Sequence, residues 1–130
     1  TYSWSGQTQA PKLWHDVSPI QEILALVEAQ YGPQDAVLLN WYRDGKDSVA
    51  PHSDDETDLK PGSAIIGISL GGERNFALKH KETKERFVLP LEDGSLVAMF
   101  GETQRVANHG VPKTSKAVEP RISLTFRQMK

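Results

Sequence analysis

The 130-residue sequence contains no cysteine, and this absence excludes disulfide bonds, thiolate metal sites and a cysteine nucleophile. Any metal would have to be held by histidine and carboxylate side chains. No apolar run reaches the roughly 18–20 residues that span a bilayer, and no segment resembles a signal peptide. We therefore expect an intracellular protein of the cytoplasm or nucleus, not secreted and with no membrane partner.

A surplus of positive charge is also missing. The chain has 15 lysines and arginines against 17 acidic residues, which gives a net charge of −2. The strongly basic composition that is typical of nucleic-acid-binding proteins is therefore absent, and this counts mildly against a nucleic-acid partner. The hydrophobic content of 38% and the charged content of 25% are ordinary for a globular protein. A chain of this length predicts one domain with a single core.

One segment, residues 18–31, has a clear helical pattern. It begins with Ser18 as the N-cap and Pro19 in the first turn, and it ends before Gly32 and Pro33. Apolar residues recur at helical spacing and predict one buried stripe, formed by Ile20, Ile23, Leu24, Val27 and Tyr31.

From residue 36 onward the pattern is strand after strand, separated by turn signals such as RDGKD, LGGER, KETKE and EDGS. The predicted strands are 36–42, 63–71, 75–81, 86–91, 95–100 and 121–129. Strands without intervening helices predict an antiparallel sandwich or barrel. The single domain (1–130) thus divides into a leading segment (1–17), a helix (18–31) and a β core (36–130).

The last strand alternates between apolar and polar residues. Its apolar face predicts contact with the core and carries Ile122, Leu124 and Phe126. Its polar face fits either solvent or a polar cavity and carries Arg121, Ser123, Thr125 and Arg127. In the strand 36–42, Asn40 and Tyr42 likewise share one face, while Trp41 points the other way.

The stretch PHSDDE raises the question of a metal site. In an extended chain His52 and Asp54 point to the same side and can reach one ion together. His109, in ANHGVP, is the second histidine that such a site needs. Two histidines and one carboxylate form the facial triad that leaves three positions of octahedral Fe(II) open. From spacing alone, a structural His109 is as good an interpretation as a metal ligand.

An anionic cosubstrate beside such a metal would need cationic and hydrogen-bonding partners. Arg121 can bind a carboxylate through two parallel hydrogen bonds, and Tyr42 and Asn40 can add others. Arg121 and Arg127 lie about 20 Å apart along an ideal strand. The two side chains are therefore too far apart to bind the same small dicarboxylate. Arg127 therefore fits the metal end of the site better.

In their order along the chain these motifs resemble a known family. N-x-Y at 40–42, H-x-D at 52–54, the distal His109 and the closing PRISLTFR are similar to the AlkB family of Fe(II)/2-oxoglutarate dioxygenases. The segments TYSWSG, LLNWYRDGKD, HSDDETDLKPGS and RNFALKHK extend the likeness over almost the whole chain. They resemble the branch of nucleic-acid demethylases that includes human DNA-repair members.

The resemblance implies a mainly β fold, a double-stranded β-helix or jelly roll with one buttressing helix near the N-terminus. It implies that Fe(II) is bound by His52, Asp54 and His109, with O2 as cosubstrate. It implies that 2-oxoglutarate is held by Asn40, Tyr42, Arg121, Ser123 and Arg127. Ser123 stands where the family usually has asparagine, and a hydroxyl still donates one hydrogen bond.

The resemblance also implies an activity in DNA or RNA repair. N-alkylated bases such as N1-methyladenine and N3-methylcytosine would be demethylated oxidatively, with release of formaldehyde, succinate and CO2. A flipped base would stack on an aromatic side chain, and acidic residues would face a cationic methylated base. The residues implied on the substrate side are Tyr2, Trp4, Asp55, Glu56 and Arg74, and Arg74 could contact a phosphate. We expect a monomer that binds short or single-stranded nucleic acid weakly and in a salt-sensitive way.

Two other interpretations stay open on the sequence. The chain could be a 2-oxoglutarate oxygenase of the same fold that hydroxylates a protein or a small molecule. It could also be a non-catalytic jelly-roll binding module whose histidines and aspartate are structural. The position of Trp4 relative to the metal separates the first from a demethylase. Bound iron with turnover of 2-oxoglutarate excludes the second.

Overall fold

The computed structural model describes the backbone of residues 2–4 and 7–9, and the chain over 18–54 and 59–130. The elements are β1 (Tyr2–Trp4), β2 (Gln7–Gln9), α1 (Ser18–Tyr31), β3 (Ala36–Tyr42), β4 (Val49–His52), β5 (Ile65–Gly71), β6 (Arg74–His80), β7 (Arg86–Leu91), β8 (Leu96–Met99), α2 (Gly101–Val106), β9 (Ala107–Val111) and β10 (Arg121–Arg127). None of the described helices is long and apolar enough to cross a membrane.

Two four-stranded antiparallel sheets form the body of the molecule. The first sheet has the order β3-β10-β5-β8, and the second sheet has the order β4-β9-β6-β7. Strands close in sequence are divided between the two sheets, as in the jelly roll that the family resemblance implied. Strands β1 and β2 pair with each other as a separate antiparallel hairpin.

Helix α1 covers part of the outer face of the first sheet. Val27 of the helix is buried together with Ile66, Leu124 and Phe126 of the sheet. The other four residues of the predicted stripe, Ile20, Ile23, Leu24 and Tyr31, pack against the same cluster. The prediction of a buttressing helix over 18–31 is therefore confirmed, both in its bounds and in the face that it buries.

The space between the sheets contains a second apolar cluster. The first sheet contributes Tyr42, Ile65 and Met99, and the second sheet contributes Phe76, Leu91 and Val111. Because side chains alternate along each strand, the residues between these positions point outward. Five of these six side chains, all but Ile65, also line a cavity between the sheets, together with polar residues of both sheets.

Three elements around this cavity were not predicted. Strand β4 has only four residues, includes a proline, and pairs with β9 through a register shift. Strand β9 (ANHGV) places polar residues and a glycine on a short segment, so it lacks an alternating pattern. Helix α2 has six residues and no side-chain N-cap bond. His109 lies in the middle of β9.

Candidate active site

The two candidate histidine ligands lie directly opposite each other on neighbouring strands. His52 ends β4 and pairs with His109 of β9 across the antiparallel ladder. Their rings share the inward face of the second sheet, with centroids 4.4 Å apart. Asp54 follows two residues after His52, and the ligand atoms of the three side chains all lie within 4.8 Å of one another. The chain thus brings the three predicted residues to one point.

Hydrogen bonds orient both imidazoles. Nδ1 of His52 lies 2.8 Å from the carbonyl oxygen of Ala50 and donates to it, which directs Nε2 toward Asp54. Nε2 of His109 lies 3.1 Å from Oδ2 of Asp54, and Nε2 of His52 lies 3.5 Å from Oδ1. A backbone acceptor on the far ring nitrogen is a common way to fix the tautomer of a metal-binding histidine.

Asp54 is a buried anion, with 4% of its surface exposed. Burial by itself raises the pKa of its carboxyl group, but hydrogen bonds with His109 and His52 and the charge of Arg127 outweigh that effect. The pKa of Asp54 therefore lies well below its usual range. The hydrogen bond between His52 and Asp54 also raises the pKa of the His52 imidazole. Two imidazole nitrogens and one carboxylate oxygen, oriented toward each other, fit the donor set of a divalent iron site.

The polar face of β10 lines the cavity, which has a volume of about 150 Å³. The wall is formed by Arg121, Ser123, Thr125 and Arg127. Strand β3 lies beside it in register, so that Tyr42 is opposite Arg121 and Asn40 is opposite Ser123. Of the two interpretations of this polar face, solvent or cavity, the structure thus supports the cavity. Trp41, on the other face of β3, is 67% exposed.

Arg121 has unused hydrogen-bonding capacity inside the protein. It is 3% exposed, and its Nη2 donates to Oγ of Ser69 at 2.8 Å. The guanidinium carbon lies 4.8 Å from the centre of the Tyr42 ring. Nε and Nη1 are buried and meet no hydrogen-bond acceptor in the described part of the chain. Because a buried cationic donor without an acceptor is costly, these two groups fit an anionic ligand such as a carboxylate.

The other arginine of β10 lies at the metal end. Nη2 of Arg127 is 3.5 Å from Oδ1 of Asp54, and both side chains are almost completely buried. The sequence interpretation placed Arg127 at that end because the two arginines are too far apart to share one small ligand. Their side chains thus border the cavity from opposite ends of the same strand.

The placement of Arg74 corrects its assignment to the substrate side. Its side chain is 2% exposed. The guanidinium donates to the carbonyl oxygens of Asp44 at 3.1 Å, Asp47 at 2.9 Å and Pro112 at 2.7 Å. A group so enclosed is not available to a phosphate. Arg74 instead joins the loop after β3 to the chain after β9.

The remaining substrate-side predictions are not tested. Tyr2 and Trp4 belong to β1, where only the backbone is described. Asp55 and Glu56 lie outside the described residues. Their proposed contacts with a base stay predictions.

Three polar residues of the site were missed by sequence reasoning. Ser69 binds Arg121, and its place on the inward face of β5 follows from the alternation of that strand. Ser53 donates to Oδ1 of Asn108 at 2.8 Å and so links the chain before Asp54 to β9. Gln104 of α2 accepts a hydrogen bond from the backbone of Asp54. No local pattern marks Gln104, because its partner lies 50 residues away.

Comparison with known proteins places these features in a family. A family model described as the 2OG-Fe(II) oxygenase superfamily matches residues 1–127. The chain belongs to this superfamily. Its cofactors are thus Fe(II) and 2-oxoglutarate, as the AlkB-like motifs predicted, with O2 as the second cosubstrate.

Individual relatives agree with this membership. The chain is 37% identical to the human DNA oxidative demethylase ALKBH2 over 138 residues, which cover 99% of this chain and 52% of the relative. It is 36% identical to the human alpha-ketoglutarate-dependent dioxygenase alkB homolog 3 over 137 residues, which cover 97% of this chain and 47% of the relative. The chain therefore spans about half the length of these curated relatives.

A solved structure supports the fold. The structure of OsALKBH1 superposes with a TM-score of 0.64 and 23% sequence identity, covering 92% of this chain and 68% of the other. At this level of identity the likeness concerns the fold alone. Together with the two observed sheets, it confirms the predicted jelly roll with a helix near the N-terminus.

The structural role of Arg74 can be tested by Arg74→Leu. We expect the free energy of unfolding to fall by at least about 3 kcal/mol, because three buried carbonyls lose charge-assisted bonds worth ~1.5–3 kcal/mol each. Urea denaturation measures the change. Lys79→Ala, at an exposed position on the same strand, is the control and should stay within ~0.5 kcal/mol of wild type. If the Arg74→Leu variant keeps wild-type stability but binds an oligonucleotide more weakly, the structural role is contradicted and a phosphate contact of Arg74 is supported instead.

Proposed function

We propose that the protein is an Fe(II)- and 2-oxoglutarate-dependent dioxygenase that removes N-alkyl groups from nucleobases in DNA or RNA. One observation carries the proposal: the cavity is lined both by the His52–Asp54–His109 cluster and by Arg121, two of whose guanidinium nitrogens have no hydrogen-bond acceptor in the described chain. The names of the two human relatives, a DNA oxidative demethylase and an alpha-ketoglutarate-dependent dioxygenase, support this choice of reaction.

The three clustered side chains would hold the metal. Nε2 of His52, Nε2 of His109 and one carboxylate oxygen of Asp54 would supply three ligands on one side of the ion. When bound, Fe(II) supplies the oxygen-activating chemistry at its remaining positions. Asp54 contributes negative charge that is already formed in the folded protein, because its pKa is held low. Arg127 balances this charge through Nη2, which lies 3.5 Å from Oδ1 of the carboxylate.

The polar wall of β10 would hold 2-oxoglutarate. Nε and Nη1 of Arg121 would bind its distal carboxylate, and Ser69 would keep the guanidinium in place through Nη2. Asn40 and Ser123, which are paired across β3 and β10, line the same cavity and offer an amide and a hydroxyl. Ser123 would donate one hydrogen bond where the family's usual asparagine offers more.

The substrate side rests on the resemblance and on charge. A base methylated at N1 of adenine or N3 of cytosine is cationic, which suits the acidic pair Asp55 and Glu56. Trp4, with Tyr2 beside it, would supply the aromatic surface for the flipped base. The net charge of −2 favours weak binding of nucleic acid. The protein would act as a monomer inside the cell, on short or single-stranded substrates and with an affinity that is sensitive to salt.

The proposed reaction predicts lesion-dependent formaldehyde and succinate release. The substrate is a short single-stranded oligonucleotide carrying N1-methyladenine, supplied with Fe(II), ascorbate and 2-oxoglutarate. The unmodified oligonucleotide and the His52→Ala variant are the controls. The variant should lose at least about 100-fold in rate. His52 would be a metal ligand, and without it the protein would no longer hold the iron that activates oxygen.

Two other outcomes of that assay would change the assignment. Succinate formed equally with and without the lesion would keep the oxygenase but contradict the nucleobase substrate, in favour of a protein or small molecule. No turnover of 2-oxoglutarate with iron demonstrably bound would contradict the enzyme and favour a binding module.

The role of Arg121 predicts a selective loss of 2-oxoglutarate affinity. Arg121→Met should raise the KM for 2-oxoglutarate by about 10- to 100-fold or more, because charge-assisted hydrogen bonds are worth ~1.5–3 kcal/mol each. Succinate formation at increasing 2-oxoglutarate concentration measures this change. Ile122→Ala is the matched control, because its side chain lies on the outer face of β10 and is 39% exposed. An unchanged KM in Arg121→Met would contradict the assigned role.

A further inference from the structure

Asp54 lies beyond the part of its strand that the sheet holds in place. Strand β4 ends at His52, and its register with β9 shifts between Val49 and His52. The backbone of Asp54 is therefore not fixed by the regular hydrogen bonds of the ladder. A metal ligand needs a supporting contact that fixes its position to within a fraction of an ångström.

Gln104 of α2 supplies such a contact. The backbone N–H of Asp54 donates to Oε1 of Gln104 at 2.7 Å, in a buried hydrogen bond. The Gln104 side chain reaches this position from a different element, and the residue is only 9% exposed. Without it, a buried N–H beside the metal cluster would lose its acceptor, which is unfavourable.

The amide of Gln104 is itself held at its other end. Its Nε2 donates to Sδ of Met99 at 3.6 Å. Because a backbone N–H can only donate and a thioether sulfur can only accept, the amide fits in one orientation, with the oxygen toward Asp54. The backbone carbonyl oxygen of Gln104 also accepts a hydrogen bond from Nζ of Lys81 at 3.2 Å, which links α2 to the turn after β6.

We propose that Gln104 is a positioning residue for the metal-binding carboxylate. It fixes the backbone of Asp54 and thereby the place of the two carboxylate oxygens against the imidazoles of His52 and His109. It does not touch the metal or the substrates. The inference rests on the metal site of the proposed function and is independent of which base, protein or small molecule is the substrate.

The test uses Co(II) as a spectroscopic probe added to the metal-free protein. Gln104→Met keeps the length of the side chain and removes the acceptor oxygen. We expect its Co(II) affinity to fall by about 10- to 100-fold, the usual effect of losing a supporting contact. The ligand-field absorption of bound Co(II) should change in shape, because the carboxylate no longer sits in one place. The rise in Tm on adding Co(II) should shrink accordingly.

A matched control separates positioning from helix stability. Glu102→Ala removes an exposed ion pair with Arg105 on the same short helix and leaves the contact between Gln104 and Asp54 intact. It should bind Co(II) with wild-type affinity and spectrum. If Gln104→Met does not fold, Gln104→Asn replaces it, since asparagine has the same polar groups but reaches one methylene less.

Three outcomes would overturn the inference. Wild-type Co(II) affinity and spectrum in the Gln104 variant would show that Asp54 is placed by other contacts. An equal loss of affinity in Glu102→Ala would show that only the stability of α2 matters. Failure of the wild-type protein to bind Co(II) would overturn the metal site itself and this inference with it, whereas the first two outcomes leave the metal site standing.

Discussion

Asp54 keeps a negative charge at a position where only 4% of its surface meets water. Such a charge is stable in a protein interior only when several partners surround it. Here His52 and His109 come from the second sheet, and Arg127 comes from the first. The two sheets must therefore meet at this carboxylate. The contacts of Asp54 with His52 and His109 also give the three side chains the arrangement that suits a metal ion.

Strand β10 links this centre to the rest of the fold. It lies between β3 and β5, so the hydrogen bonds of both of its edges are paired. Leu124 and Phe126 pack on the side of helix α1, while Arg121 and Arg127 border the cavity from opposite ends of the strand. A strand with two buried faces usually reads as continuously apolar. Charged residues on a buried face need ligands or partners. For this reason the polar side chains of β10 form a large part of the candidate site.

The elements with strong periodicity could be predicted from the sequence. The helix over 18–31 and the strands at 36–42 and 86–91 have the bounds that their patterns indicated. Strands β4 and β9 escaped prediction because four- and five-residue segments with proline or glycine show no alternation. His52, Asp54 and His109 were nevertheless named, since the motif resemblance supplied what the periodicity could not.

Two residues whose partners are distant in sequence, Arg74 and Gln104, were misplaced or missed. Arg74 was expected to face a phosphate, but its acceptors are carbonyls 27 to 38 residues away, which no local pattern reveals. Gln104 escaped notice for the same reason. In both cases the side chain acts on a loop that the sheet ladder does not hold. Only the folded arrangement shows which loops need such support.

We propose that one ion and one dicarboxylate share the cavity between the sheets. Anaerobic crystals grown with Fe(II) and 2-oxoglutarate, with diffraction recorded at the iron absorption edge, test this arrangement. We expect a single anomalous peak bound by His52, Asp54 and His109, with a carboxylate of 2-oxoglutarate on Arg121. Iron bound elsewhere, or a dicarboxylate that leaves Arg121 without a partner, would contradict it.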